Sequence, residues 1–240
     1  LANGALSDLL TDTGAGWLSS GRIDLTRRPG DLLQNPAGIY AFLQVGERSF
    51  SLTAAPLYDA QVRYRVQFAE NNVIYKAKYR SVKTGLRVLL HPTLPLEQRE
   101  YQIKNLTQQR TTAQLLCYLE PTLAPTMDYK AHPAFSKLFV TAEYEAQSRI
   151  LLFTRRERRQ KPQTYLAVGF LEDLPFEYET RRERLMNAPD GLAGLAEFAT
   201  REFAGGAGTP DAACALRLHL ELPAGGRAQV TQLIAAGETR

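Results

Sequence analysis

The 240-residue sequence is poor in the residues that build metal and redox sites: it has two cysteines, three histidines and one tryptophan. Cys117 and Cys214 each lie in an apolar stretch, which predicts buried free thiols rather than a disulfide. No Cys-x-x-Cys or His-x-x-x-His spacing occurs, so we expect no metal site. No P-loop and no Gly-x-Gly-x-x-Gly fingerprint occurs either, so we expect no cofactor.

The sequence also lacks an apolar run of about 18 residues, which excludes a transmembrane helix. No charged and apolar leader of a signal peptide is visible at its start. We therefore expect a cytoplasmic location and no membrane contact by this part of the protein. The chain begins at Leu1 rather than at methionine, which suggests a piece of something longer.

The composition is that of a globular protein, with 44% hydrophobic and 22% charged residues. The formal net charge is +4, whereas a dedicated nucleic-acid binder concentrates much more positive charge on one face. Basic clusters at 154–161 and 180–184 are interrupted by Glu157 and Glu183, and we interpret them as solvated turns. We expect no nucleic-acid partner.

The dominant hydrophobic period is two. In 62–68 apolar and polar residues alternate, the pair Asn71-Asn72 predicts a turn, and 73–80 returns in phase, which together indicate a hairpin. Further segments are predicted to form strands, among them 112–121, 137–145, 149–156, 164–171 and 214–222, which gives roughly a dozen or more strands in all. Such alternation predicts antiparallel sheets with one covered face.

These patterns predict an all-β fold: one large antiparallel sandwich of two sheets over residues 1–240, with at most one or two short helices. The one plausible helix lies at 190–204, although two glycines weaken it. The stretch 205–212 is predicted to be a loop. We find no internal repeat and no domain linker, so a single domain is the simpler interpretation.

Two segments are unusual. Residues 10–17 place two glycines and Trp17 in one turn, where the indole could stack on a sugar; the alternative is a tight turn in which Trp17 closes the sandwich edge. Residues 131–139 follow a proline-rich segment too long for a hairpin turn. There His132 precedes a proline, which predicts an extended backbone, and His132 and Lys137 could bind a carboxylate, phosphate or sugar hydroxyl. The alternative is that Phe135 and Phe139 anchor a long loop.

No catalytic residue is identified. The sequence has no Gly-x-Ser-x-Gly elbow, and its carboxylates, such as Asp8, Asp12, Asp24 and Asp128, are scattered, so their spacing predicts no glycosidase pair.

The order of several segments resembles the N-terminal β-sandwich of the cellobiose and chitobiose phosphorylase family, and most of all the phosphorylase-type regions of cyclic β-1,2-glucan synthases. The segments are NGALSDLLTDTGAGW, IDLTRRPGD, NPAGIYAFLQ, YRVQFAENNVIYKAKYRSVKTGLRVLLHP, AHPAFSKLFVTAEY and LLFTRRER. The similarity extends from about Asn3 to about Ile234. It implies a galactose-mutarotase-like supersandwich.

In that family the sandwich precedes a helical linker and an α/α toroid that carries the catalytic aspartate. The resemblance therefore implies that catalysis belongs to a downstream domain beyond Arg240, which would be this chain's partner, and that the parent protein is a glycoside phosphorylase or glycosyltransferase, which could be membrane-associated. The family enzymes are commonly dimers, which leaves a homodimer open. Cellobiose-type members have Asn-Phe-Gln-Arg where this chain has Ala134-Phe135-Ser136-Lys137. A sugar contact from Phe135, Ser136 or Lys137 is thus an expectation, as are contacts from Trp17 and His132.

Three functions compete. The favoured one is an accessory, non-catalytic sandwich that packs on a catalytic domain and shapes its site for a β-glucan or oligosaccharide; it predicts an exposed apolar patch. The second is an independent carbohydrate-binding module, which requires an open groove with Trp17 or Tyr129 exposed. The third is an aldose mutarotase or epimerase, which requires a histidine and a carboxylate facing one sugar.

Overall fold

The computed structural model describes residues 1–32, 37–156, 163–186, 191–206 and 211–239. Seventeen strands lie in this part of the chain: β1 (Ser7–Leu10), β2 (Gly16–Ser20), β3 (Ile23–Thr26), β4 (Tyr40–Val45), β5 (Arg48–Ser51), β6 (Arg63–Phe68), β7 (Asn72–Tyr79), β8 (Val82–Leu90), β9 (Leu96–Asn105), β10 (Thr111–Leu119), β11 (Pro121–Pro125), β12 (Val140–Glu145), β13 (Ile150–Arg155), β14 (Tyr165–Phe170), β15 (Glu177–Arg181), β16 (Ala212–Leu222) and β17 (Arg227–Gly237).

The strands form antiparallel sheets of eight, five and four strands. The eight-stranded sheet has the order β12-β13-β14-β17-β9-β8-β7-β6, the five-stranded sheet β15-β16-β10-β4-β5, and the four-stranded sheet β1-β2-β3-β11. The all-β antiparallel fold is confirmed. The predicted hairpin is also present, with Phe68 opposite Val73 and Arg63 opposite Lys78.

Two details of the prediction need correction. The chain forms a third, smaller sheet because it leaves the five-stranded sheet after Leu119. Pro121 has no N–H for the ladder, and the pairing of β11 with β3 shifts register between Pro121 and Ala124. The other detail is the number of helices, which is larger than predicted.

The described residues contain α1 (Thr126–Ala131), α2 (Pro133–Lys137), α3 (Arg182–Leu185) and a 3₁₀ helix (Gly191–Thr200), more than the one or two helices expected. The α-helices have four to six residues, too few for a hydrophobic period of 3.6 to be visible. The segment predicted as a helix at 190–204 is thus 3₁₀-helical where it is described; residue 190 lies outside the described residues. No helix in the described ranges is long and apolar enough to span a membrane.

The five-stranded sheet is covered on both faces. Along β10, Leu115 and Cys117 face the main core against the eight-stranded sheet. Leu116 and Tyr118 face a second core, which the 3₁₀ helix closes with Leu195 and Phe198. Burial on both faces explains why β10 is a continuous apolar run rather than an alternating one. Both cysteines are buried free thiols, as predicted.

Candidate functional site

Between β11 and β12 the chain forms α1 and α2, which meet at His132. Pro133 lies in the first turn of α2. A backbone N–H has no intrahelical acceptor there, so proline breaks no helical hydrogen bond. A residue before proline avoids the helical region, and His132 accordingly has φ −145° and ψ 72°. The imidazole is exposed on an extended backbone, as the sequence predicts. The prediction of an irregular segment is corrected, because both sides of His132 are helical.

A groove of about 670 Å³ lies between this helical segment and the residues that follow β3. A second hollow, of about 610 Å³, shares Arg28, Gly30 and Lys130 with the first and extends to Trp17. We call the two hollows together the basic groove. Its lining contains five cations: Arg27, Arg28, Lys130, Lys137 and Arg182.

A buried carboxylate, Glu120, lies behind the basic groove at the junction of β10 and β11. It accepts hydrogen bonds from Arg27 Nη1 at 3.1 and 3.3 Å and from the Tyr118 hydroxyl at 3.1 Å, and Arg182 Nε lies 3.3 Å away. Burial alone would raise the pKa of Glu120, but the guanidinium groups of Arg27 and Arg182 hold it below its usual value. Glu120 therefore stays ionised and fixes both arginines.

A second buried carboxylate, Asp24 on β3, fixes Arg28 and α1. Arg28 Nη2 lies 3.2 Å from Asp24 Oδ1, and the Thr126 hydroxyl donates to Asp24 Oδ2 at 2.7 Å. The guanidinium of Arg28 also stacks over Trp17, 4.3 Å from the ring centroid. One face of the indole is thus already occupied by a cation, a contact typical of tryptophan and arginine.

Lys137 and Tyr129 also line the groove. Lys137 Nζ lies 2.6 Å from Asp211 Oδ1, and Asp211 Oδ2 is 3.8 Å from Arg182 Nη1. Burial raises the pKa of the Tyr129 phenol, so this hydroxyl remains a hydrogen-bond donor at neutral pH.

Two other predicted residues have structural contacts. Ser136 is buried, and its hydroxyl and carbonyl oxygens both accept hydrogen bonds from Arg155 Nη1 at 3.0 Å. Phe135 packs edge-to-face on Phe139, with ring centroids 4.9 Å apart. Of the five predicted residues, Trp17 and Lys137 therefore line the groove, whereas Phe135 and Ser136 are not among its lining residues, nor is His132.

Three exposed apolar side chains lie beside the groove, one on α1, one on α2 and one directly after α2, and we call these three residues the apolar ridge. Met127 is 73% exposed, Leu138 is 57% exposed and Phe135 is 49% exposed. Leu138 also lines the groove. Large apolar side chains exposed together, with a charged surface beside them, are typical of an interaction surface.

Most of the groove's cations were not predicted from the sequence, and the interpretation of 180–184 as a solvated turn is wrong. Arg182 pairs with buried Glu120, and Arg181 Nε lies 2.8 Å from buried Glu179. The other basic cluster, 154–161, lies partly outside the described residues. The signal that could have identified the groove is the doublet Arg27-Arg28 at the end of a strand, next to a proline and a glycine.

Two of the three histidines have contacts with the backbone or with a neighbouring strand. His91 Nδ1 accepts hydrogen bonds from the backbone N–H groups of Thr93 and Leu94. His219 pairs with Glu177 at 3.1 Å on an exposed strand face. Within the described residues no group of three histidine, cysteine or acidic side chains could hold a metal ion.

The sequence matches the family model "Glycosyl hydrolase 94, supersandwich domain" over residues 1–240. It is also 25% identical, over 239 residues, to the cyclic β-(1,2)-glucan synthase NdvB of Rhizobium meliloti (strain 1021). This match covers 96% of the chain but only 8% of that protein. The resemblance found in the sequence is therefore confirmed.

Two solved structures share the fold. A polysaccharide lyase superposes with a TM-score of 0.51 at 14% identity, covering 98% of this chain and 33% of the lyase. An aldose 1-epimerase-like protein of Escherichia coli K12 superposes with a TM-score of 0.50 at 9% identity, covering 99% of this chain and 97% of that protein. On the evidence of the matching family model, and in agreement with these folds, the chain belongs to the supersandwich domain family of glycosyl hydrolase 94.

Proposed function

We propose that residues 1–240 form a non-catalytic domain of a glucan phosphorylase or cyclic β-1,2-glucan synthase-like protein, and that this domain packs on a catalytic domain and shapes its sugar site. The observation that carries the proposal is the apolar ridge of Met127, Phe135 and Leu138 beside the basic groove. Burying these side chains against a partner would remove apolar area from water, which stabilises the contact by roughly 25 cal/mol for each Å² buried.

The basic groove would then lie at the edge of the domain contact. Arg27 and Arg182 are held by Glu120, so little side-chain entropy is lost when they donate hydrogen bonds to a ligand. Guanidinium groups and a phenol are suitable donors to sugar hydroxyls. The groove would therefore orient a glucan chain for a reaction carried out by the other domain.

The test is association between this chain and the catalytic region of its parent protein, each purified separately. The double variant Met127→Asp/Leu138→Asp should weaken association at least about tenfold, because it places two charges in an apolar contact. Both side chains are more than half exposed, so the variant should fold. The matched control is Phe68→Asp/Leu171→Asp, which charges two exposed apolar residues outside the ridge. Unchanged association, or an equal loss in the control, would contradict the proposal.

An independent carbohydrate-binding module is the second candidate, since Trp17 and Tyr129 line the groove. Arg28 already covers one face of Trp17, which leaves less of the ring for stacking. Saturable binding of β-1,2-gluco-oligosaccharides by this chain alone, abolished by Trp17→Ala, would favour the module over the accessory role. The mutarotase alternative finds no support in the isolated contact of His219 with Glu177.

A further inference from the structure

A row of cations crosses the outer face of the eight-stranded sheet, away from the basic groove. The strand register places Arg63 opposite Lys78 and Lys78 opposite Lys83. Lys83 in turn lies opposite Lys104, and Lys104 lies opposite Arg227. The cationic row is thus one residue from each of five adjacent strands: Arg63, Lys78, Lys83, Lys104 and Arg227.

A second row beside it continues the positive charge, since Arg65 lies opposite Lys76, and Lys76 lies opposite Gly85. Arg63, Arg65, Lys76, Lys78 and Lys83 line a hollow of about 310 Å³. The absence of a side chain at Gly85 leaves open space there, because an added Cβ would meet only Gln102, at 3.9 Å. This part of the sheet face is therefore a shallow, strongly cationic depression.

These seven cations have no counter-ion among the residues that the structure describes. All seven are exposed, and no carboxylate of the described residues lies within ion-pair distance of any of them. Glu100 faces the same side of β9, four residues from Lys104, and is already paired with Arg87 at 3.4 Å. Like charges placed directly opposite one another on neighbouring strands destabilise a sheet. An anionic ligand would relieve this repulsion.

The shape of the row favours a linear ligand. Strands are about 4.8 Å apart, so five cations on adjacent strands span roughly 19 Å. Each strand is also rotated by roughly 20–25° relative to its neighbour, so the side chains turn progressively along the row. A flexible chain can follow that turn, whereas a planar membrane would meet only part of the row.

The surrounding side chains indicate the chemistry of the chain. Exposed amides of Gln67, Gln102 and Gln229 lie on the same face as the row. Amides bind hydroxyl groups well, and cations bind acidic groups. No position of β6 to β9 or of β17 on the face of the row, all of them described, is aromatic; exposed Phe68 lies opposite buried Val73, on the other face of β6. Proteins that bind single-stranded nucleic acids stack bases on aromatic rings. We propose that the cationic row binds a linear anionic glycan, one that carries carboxylate, phosphate or sulfate groups along a sugar backbone.

The proposal is tested with fluorescently labelled oligogalacturonate, whose anisotropy reports binding to the chain of residues 1–240. The variant Lys83→Gln/Lys104→Gln should bind about fivefold more weakly at ~0.1 M salt, since each exposed ion pair contributes a few tenths of a kcal/mol to about 1 kcal/mol. Affinity falls as salt rises, and the slope of log K against log salt should become shallower by about two, one for each lost cation. The control, Arg22→Gln/Arg149→Gln, removes two exposed cations that lie outside the row and should change neither quantity.

Failure to fold would not imitate this result, because the substitutions lie at exposed positions and remove like-charge repulsion, so the unfolding midpoint should not fall. The proposal is overturned if the wild-type chain shows no saturable binding, if neutral dextran binds equally well, or if the control loses as much affinity. Tighter binding of single-stranded DNA or of phosphatidylglycerol vesicles, lost in the row variant, would assign the face to a nucleic acid or a membrane instead. None of these results bears on the apolar ridge, which belongs to another surface.

Discussion

The basic groove and the cationic row carry similar numbers of cations but differ in what lies behind them. In the groove, Arg27 and Arg182 share the buried carboxylate of Glu120, and Arg28 lies on buried Asp24. In the row, the cations face one another across five strands with no carboxylate of the described residues in contact. The groove's three arginines are therefore held by buried carboxylates of the fold, whereas the row's cations are available to an external anion.

A third cluster, in which carboxylates outnumber cations, extends the comparison. Asp8 and Glu97 are buried together beside Arg99, which donates hydrogen bonds to Glu97 and to the carbonyl of Ile39. Burial, and the nearby charge of Glu97, raise the pKa of Asp8 well above its usual value. One cation for two carboxylates thus favours the protonated form of Asp8, while two cations for one carboxylate favour the ionised form of Glu120.

Glu120→Gln should have the largest effect on stability. The substitution removes the buried negative charge that Arg27 and Arg182 share, so we expect a loss of about 3 kcal/mol in the free energy of unfolding. Urea unfolding at neutral pH measures it. The folded-state pKa of Glu120 lies below the unfolded value, so the contribution of Glu120 is present above the unfolded pKa and is lost as the pH falls. The difference between wild type and variant should therefore shrink in acid.

The control for Glu120→Gln is Glu221→Gln, which breaks the exposed pair with Arg110. An exposed pair contributes little, so we expect a change below about 0.5 kcal/mol. Equal losses for the two variants would show that the groove's cations depend no more on a buried carboxylate than surface cations do, and the contrast between groove and row would fail.

Alternation in the sequence predicted the strands of the cationic row but not the row itself. Arg63 and Lys78 belong to one predicted hairpin, so the predicted turn already brings these two residues close together. Arg227 joins them only because β17 pairs with β9, and pairing between distant strands is not encoded in local periodicity.

The basic groove could be predicted from the sequence only in part. Trp17 and Lys137 were singled out and do line it, but Arg182 appeared to be a solvated residue because its partner, Glu120, lies far away in the sequence. Short helices were missed for a different reason, since α1 and α2 have fewer residues than two helical turns need.

Asp8→Asn should change the free energy of unfolding by less than Glu120→Gln does, and should raise it. The gain should grow with pH. Because the folded-state pKa of Asp8 is raised, wild-type stability is greatest below the unfolded pKa and declines as the pH rises through the folded one. Asparagine cannot ionise and can donate permanently to Glu97. In urea unfolding the variant should gain stability relative to wild type as the pH rises above the unfolded pKa of aspartate, about 3.9, and the gain should exceed the ~0.5 kcal/mol typical of surface changes. A gap that is constant with pH would show that Asp8 is ionised throughout.

Lys83→Glu should have the smallest effect and also increase stability. It places a carboxylate at the centre of the cationic row, between Lys78 and Lys104, and replaces two repulsive cross-strand pairs by two attractive ones. We expect the free energy of unfolding to rise by about 0.5–1 kcal/mol at low salt, and the gain to disappear near 1 M salt, where the Debye length is about 3 Å. Arg22→Glu, which makes the same change of charge at an exposed turn, should give no such gain. If it does, the effect belongs to the net charge of the chain and not to the register that lines up the row.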